Sequence, residues 1–177
     1  MKKKLLILSS ILFFFILFVF FYLLIINRNP SELPSALINK KIPVFEAKSL
    51  LDEKKFISTV EFGHETTLVN FFASWCGPCL EEHVYIKRLS EKKGLKIIGI
   101  NYKDNPNKAI KWLQKLGNPY SSVIVDPDAK IGIDWGVYGI PETFIVNSKG
   151  VIKYRLVGPI TKKNYDAFYL KVKESER

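Results

Sequence analysis

The order of apolar and polar positions divides the chain into a leading hydrophobic run, a polar stretch, and a region of alternating strand and helix patterns. No charged residue interrupts Leu5 to Ile26, a run dense in Leu, Ile and Phe. As a helix, these residues would reach roughly 33 Å, against a hydrocarbon core of about 30 Å. Asn27 to Lys41 is polar with two prolines, the composition of a tether. Ile42-Pro-Val-Phe-Glu-Ala opens the folded region as an edge segment, because Pro43 has no N–H to give to a ladder. Leu50 to Phe62 has no clear period and is expected to hold short strand or loop pieces. Thr66–Ala73 and Leu95–Tyr102 are apolar runs of strand length. Between them, Cys76 to about Lys93 is predicted as a long helix stopped by Gly94. Asn107 to Leu116 has helical spacing through Ala109, Ile110, Leu113 and Leu116, closed by Gly117. A third strand over Ser122–Asp126 and a short helix near Ala129–Asp134 follow. Thr143–Asn147, a turn at Ser148–Gly150 and Val151–Val157 form an antiparallel hairpin, and Thr161–Lys173 a last amphipathic helix. The expected fold class is α/β: a mixed sheet with helices on both faces, preceded by one N-terminal transmembrane helix. The expected divisions are 1–26 (anchor), 27–41 (linker) and 42–177 (folded domain).

The first thirty residues also predict an orientation. A cleavable signal would have a shorter apolar stretch ending in small residues, whereas this run ends Leu-Ile-Ile-Asn-Arg-Asn-Pro. An uncleaved signal anchor is the expectation. Lys2, Lys3 and Lys4 precede it, so the positive-inside rule leaves the N-terminus in the cytoplasm and carries the remainder across, with Arg28 a minor contrary charge. The net charge of +10 is partly this cluster. The rest is Lys-rich pairs interleaved with Glu and Asp, such as Lys87, Arg88, Lys92 and Lys93 on a helix surface, the ordinary pattern of a solvated face. No glycine-rich phosphate loop, zinc finger or basic-aromatic platform accompanies them, so no nucleic-acid partner is expected. Attraction to anionic lipid headgroups is the better use of the charge.

The chemistry concentrates in Leu68-Val-Asn-Phe-Phe-Ala-Ser-Trp75-Cys76-Gly77-Pro78-Cys79-Leu80-Glu81-Glu82-His83, which holds the only two cysteines. A strand leading into a helix puts Cys76 at the helix N-terminus, where free N–H groups and the helix dipole stabilise a thiolate, the nucleophilic form. Cys79 lies about one turn on, near enough to close a disulfide, and should be the more buried thiol with the higher pKa. Pro78 is tolerated in the first turn, where its N–H would have no helical partner. A zinc site would need two more ligands, and His64 and His83 lack the usual paired spacing. A purely structural disulfide would not need the aromatic-Cys-Gly-Pro-Cys setting. The stretch reads as a dithiol/disulfide redox centre. Glu82 and His83 share a helical face with Cys79. Glu82 is a candidate to accept or return the Cys79 proton, whereas histidines at such positions more often serve packing.

Trp75-Cys-Gly-Pro-Cys79 resembles the thioredoxin active site, and Gly139-Ile-Pro141-Glu-Thr-Phe144 resembles the cis-proline loop of that fold. More specifically, Glu82-His83, Asn101-Tyr-Lys-Asp104, Lys108-Ala-Ile-Lys-Trp-Leu113, Leu116-Gly-Asn-Pro-Tyr120 and Gly136-Val-Tyr-Gly-Ile-Pro-Glu-Thr-Phe144 resemble the DsbE/CcmG family. These are membrane-anchored thiol:disulfide interchange proteins of cytochrome c maturation. The resemblance covers most of the chain after about Ile38 and implies a thioredoxin-like fold. Two departures stand out. The family often carries Pro-Thr between its cysteines where this chain has Gly77-Pro78. Thioredoxins carry a buried acid six residues before the first cysteine, and here that position is Asn70, so proton handling has to come from elsewhere.

The resemblance implies Cys76 as nucleophile and Cys79 as resolving thiol. It places a cis Pro141 opposite the dithiol, freeing a backbone edge to pair with an extended substrate segment. Glu142 is expected as a second acid near the dithiol on the substrate side, and Trp75 as a substrate-contacting shield of the disulfide. Trp112 and Trp135 are expected in the core. The implied activity is reduction of apocytochrome c at its Cys-x-x-Cys-His segment, on the periplasmic side of the inner membrane. A DsbD/CcdA-type membrane electron donor would recharge the dithiol beside the cytochrome c maturation machinery, with no cofactor beyond the Cys76–Cys79 disulfide. Two other readings compete: a broader ResA-like or thioredoxin-like extracytoplasmic reductase, favoured by Gly77-Pro78, and a non-catalytic thioredoxin-fold docking scaffold.

Overall fold

The computed structural model describes residues 2–26, 36–62, 65–93 and 95–175. Two units separate within the chain, 1–30 and 31–177. The first is a single helix, α1 (Lys2–Ile26). Its window Ile7–Leu24 has a mean hydropathy of 2.8, long and apolar enough to cross a membrane by length and composition. Most of the expected linker, together with His64 and the expected helix stop Gly94, lies outside the described residues.

The second unit follows the strand and helix pattern in order. Its elements are β1 (Glu46–Lys48), β2 (Phe56–Ser58), a short 3-10 turn at Thr59–Glu61, β3 (Thr66–Phe72), α2 (Gly77–Ser90), β4 (Leu95–Tyr102), α3 (Pro106–Leu116), β5 (Ser122–Asp126), α4 (Lys130–Asp134), β6 (Glu142–Val146), β7 (Ile152–Val157) and α5 (Tyr165–Ser175). Five strands form one mixed sheet in the order β5-β4-β3-β6-β7. β3, β4 and β5 run parallel, while β6 is antiparallel to β3 and to β7. The expected edge segment instead contributes β1 to a separate antiparallel pair with β2, and Pro43 lies before it in irregular chain.

Period-2 alternation explains how one apolar run feeds two cores. In β3, Leu68 and Phe72 face one side, and Val69 and Phe71 the other. The first side buries Ile86 and Leu89 of α2, Ala109 and Leu113 of α3, and Phe168 and Val172 of α5. The second buries Ile131 of α4, Trp135, Phe144, and Phe45, Ile57 and Phe62 from around the β1–β2 pair. Helices therefore cover both faces, the three long ones on one side and short α4 with a hairpin on the other. The last helix begins four residues later than its pattern suggests. Asn164 explains the delay, because its side chain accepts from Thr161 N at 2.6 Å and donates to Pro159 O at 3.1 Å, a local turn that competes with helix.

The site lies where β3 ends and α2 begins, at the centre of the sheet. Phe71 supports it from below, fully buried against Trp135 and Phe144 with ring centroids 5.9 and 5.8 Å away. Phe71→Ala is expected to cost about 3–5 kcal/mol, the range for truncating a buried aromatic. The exposed Leu170→Ala should stay within about 0.5 kcal/mol. Urea unfolding of both variants checks the contrast, and a Phe71→Ala loss below about 1 kcal/mol would contradict the packing described.

Candidate active site

Cys76 is the N-cap of α2, with extended backbone at φ −88° and ψ 109°. Its Sγ accepts from Cys79 N at 3.1 Å, and its carbonyl receives Leu80 N at 3.3 Å. Cys76 and Cys79 form a disulfide with Cα atoms 5.3 Å apart. Cys76 is 5 % exposed and Cys79 1 %, the expected order. Trp75 is exposed, and its Nε1 donates to Lys103 O at 3.1 Å. Across the disulfide, Ile140 O lies 3.7 Å from Cys76 Sγ, and the Ile140–Pro141 peptide is cis.

Beneath α2, Glu82 is fully buried in a chain of hydrogen bonds. Asn70 Nδ2 donates to Glu82 Oε1 at 2.8 Å and to Thr143 Oγ1 at 3.0 Å, and Ile160 N donates to Glu82 Oε2 at 2.9 Å. Tyr120 OH donates to Asn70 Oδ1 at 2.7 Å. Gly99 of β4 makes room for that phenol, since a Cβ there would stand 2.9 Å from the Phe72 ring and 3.0 Å from the Tyr120 ring. Among the described residues the carboxylate has donors but no cation as hydrogen-bond partners, so burial dominates and raises the Glu82 pKa from 4.5 to about 7. Burial, with the Glu82 charge behind it, raises Tyr120 well above its usual value. A buried acid thus stands on α2 and not at position 70, where Asn70 is its hydrogen-bond donor.

Glu142 occupies different surroundings from those expected. It is fully buried on the other face of the sheet, where Arg155 Nε donates to its Oε2 at 2.7 Å. Its Oε1 accepts from Tyr138 N at 3.0 Å and Gly139 N at 3.3 Å. With no exposed surface and both oxygens occupied, it holds the loop before Pro141 and presents nothing to a docked protein. The reason is alternation: Thr143 points toward Asn70, so its neighbour Glu142 points away. His83 is buried, donating through Nε2 to Gly117 O at 2.9 Å and lying edge-on to Trp112, with burial lowering its pKa. Trp135 is fully buried and Trp112 partly buried against the core, stacked on Phe72.

Sequence reasoning missed Arg155 and the roles of Tyr120 and Thr143. Arg155 is buried, bonded also to Gly136 O at 2.9 Å, with its guanidinium 4.9 Å from the Tyr138 ring centroid. Simple alternation in β7 groups it with the exposed Lys153, which hid it. Only the adjacent buried acid could have signalled a partner.

The Redoxin family model matches residues 37–169. The chain is 43% identical over 137 residues to the thiol:disulfide interchange protein DsbE of Vibrio cholerae, covering 77% of this chain and 74% of that protein. It is 41% identical over 139 residues to DsbE of Escherichia coli K12, covering 78% and 75%. A crystal structure of a thiol:disulfide interchange protein of the thioredoxin family from Chlorobium tepidum shares the fold, with a TM-score of 0.65 at 20% identity, covering 82% of this chain and 99% of that one.

The raised pKa of Glu82 predicts a pH-dependent stability. Between about 4.5 and 7 the folded chain holds a proton that the unfolded chain has released, so stability falls as pH rises through this window. That rise in pKa corresponds to roughly 3 kcal/mol. Glu82→Gln should flatten that slope, as read by denaturant unfolding at pH 5 and at pH 8. An unchanged slope would mean that Glu82 is ionised throughout.

Proposed function

This chain belongs to the DsbE family of thiol:disulfide interchange proteins and is a thiol-disulfide oxidoreductase; from that premise we propose that it is a membrane-anchored periplasmic reductase of apocytochrome c. The observation that carries the chemistry is Cys76 at the N-terminus of α2, disulfide-linked to Cys79 and facing the Ile140 carbonyl. In the reduced chain, the Cys76 thiolate attacks one sulfur of a substrate disulfide. The other substrate sulfur leaves as a thiolate and takes up a proton. Cys79, giving its proton to Glu82, attacks Cys76 Sγ and releases the second substrate thiol. Two electrons pass to the substrate, and the chain is left with the disulfide seen here.

The free edge beside Ile140 and the exposed Trp75 are the surfaces a Cys-x-x-Cys-His segment would meet. The dispersed family motifs support this substrate class, which needs free thiols for haem attachment. In an oxidising compartment the spent disulfide must be recharged, and a DsbD/CcdA-type membrane dithiol is the donor that fits. The apolar run that follows Lys2, Lys3 and Lys4 within α1 supports an inner-membrane anchor with a cytoplasmic N-terminus. Gly77-Pro78 favours a second reading, a broader extracytoplasmic reductase.

Cys79→Ser in the full chain is expected to trap the mixed disulfide at Cys76, and mass spectrometry of the adduct should find haem-attachment segments. Adducts spread over unrelated disulfide proteins would support the broader reductase instead. A reporter fused after Arg177 should be active only outside the cytoplasm, with Met1-Lys-Lys-Lys retained in the mature protein. A processed N-terminus beyond Ile26 would sink the anchor.

A further inference from the structure

The loop that delivers Cys76 to its helix is held by two consecutive residues of the β4–α3 turn. Lys103 O receives the Trp75 indole at 3.1 Å. Asp104 takes the preceding residue: Oδ2 accepts from Ser74 N at 2.6 Å and Oδ1 from Ser74 Oγ at 2.9 Å. The same carboxylate accepts from Asn101 Nδ2 at 2.9 Å and from Asn105 N at 2.8 Å. All four groups are donors, and the two carboxyl oxygens share them equally. The turn is itself fixed. Lys103 sits in the left-handed region at φ +46°, and its N–H donates to Asp126 O at 3.0 Å. Asn105 caps α3 through Lys108 N. From Ser74 the constraint passes to Cys76, whose N–H closes onto Ala73 O at 3.2 Å.

We propose that Asp104 is a positioning residue of the redox centre, clamping the Ser74–Cys76 turn so that Cys76 stays in the N-cap position of α2. Asp104 touches neither sulfur among its hydrogen bonds, and its effect runs through Ser74. The clamp rests on Cys76 being the attacking thiol. It accounts for an arrangement that packing does not require, a half-buried loop carboxylate spending both oxygens on the active-site turn.

The sign of one measurement tests it. Asp104→Asn leaves a single accepting oxygen and turns an amide N–H₂ toward two of the four donors. If the clamp positions Cys76, its thiolate loses the helix N–H and the apparent pKa rises, by about half to one unit for a weakened cap. Attack on a small disulfide at a pH below that pKa then falls about three- to tenfold. Loss of a negative charge alone would move the pKa the other way, because a carboxylate disfavours a neighbouring thiolate. Ser74→Ala keeps the charge and removes one bond, so it should raise the pKa by less. Ser74→Thr, which keeps the hydroxyl, should restore it. All variants leave Glu82 and Lys103 in place.

The readout is thiolate ultraviolet absorbance of the reduced full chain in detergent, paired with exchange rates. An unchanged or lowered pKa in Asp104→Asn overturns the proposal, and so does Ser74→Ala without a shift. Should Asp104→Asn fail to fold, the Ser74 pair decides alone. Failure of the wild-type chain to exchange disulfides would instead sink the reductase reading, while the titrations would still judge the clamp.

Discussion

A carboxylate carried into an apolar interior must be met by donors, and Glu82 is met from both sides. Asn70 reaches it from the central strand and Ile160 N from the segment before α5, with Thr143 and Tyr120 holding Asn70 in turn. In a low-dielectric interior such a network is worth most when every member is satisfied, and its members specify one arrangement of the elements that carry them. Here those elements are β3, β6, α2 and the approach to α5. The helix that carries the dithiol is registered on the sheet by this network as well as by Ile86 and Leu89.

The two buried acids near the site show how surroundings divide their roles. Glu142 lies against Arg155, so its charge is compensated and its oxygens are committed to the loop before Pro141. Glu82 has hydrogen-bond donors and, among the described residues, no cation with them, which leaves desolvation in control and brings its pKa to about 7. A carboxyl group near the working pH can take and return a proton, whereas one held by a guanidinium and two backbone N–H groups fixes the loop that carries them. Alternation along β6 produces the separation. Thr143 points toward the Glu82 network and Glu142 toward Arg155, so adjacent residues serve opposite faces of the sheet.

Much of this was legible in the sequence because the relevant signals are local. The apolar run Leu68–Phe72, the helix beginning at Cys76 and the proline loop at Ile140–Pro141 depend on residues near one another in the chain. Elements closed by a single residue were also placed well: α3, expected from Asn107 and stopped by Gly117, begins one residue earlier at Pro106. Two kinds of feature escaped. Sequence adjacency to Pro141 points Glu142 toward the dithiol without revealing which face its side chain takes. The Asn70–Tyr120 bond joins residues 50 apart, and no local pattern encodes such a meeting. Arg155 was hidden for a related reason, since the irregular register between β6 and β7 breaks the alternation that made it look solvated.

The Gly77-Pro78 dipeptide can now be given a physical meaning. Gly77 is exposed, and a Cβ there would meet nothing within 4 Å, so packing does not select it. The difference lies in hydrogen-bond donors. An N-cap side chain accepts from the second or third helical N–H, and here the second position is Pro78, which has none. Cys76 Sγ is left with Cys79 N alone as its capping donor. With Pro-Thr in those positions, the proline would occupy the first helical position, where its missing N–H costs nothing, and the threonine would supply a second donor. A thiolate capped by one donor is less stabilised than one capped by two. The reduced form of a dithiol is favoured by stabilising its thiolate, so weaker capping tilts the equilibrium toward the disulfide and makes the dithiol the stronger reductant. Gly77-Pro78 therefore runs toward a more weakly capped Cys76 thiolate, and a more reducing dithiol, than Pro-Thr would give.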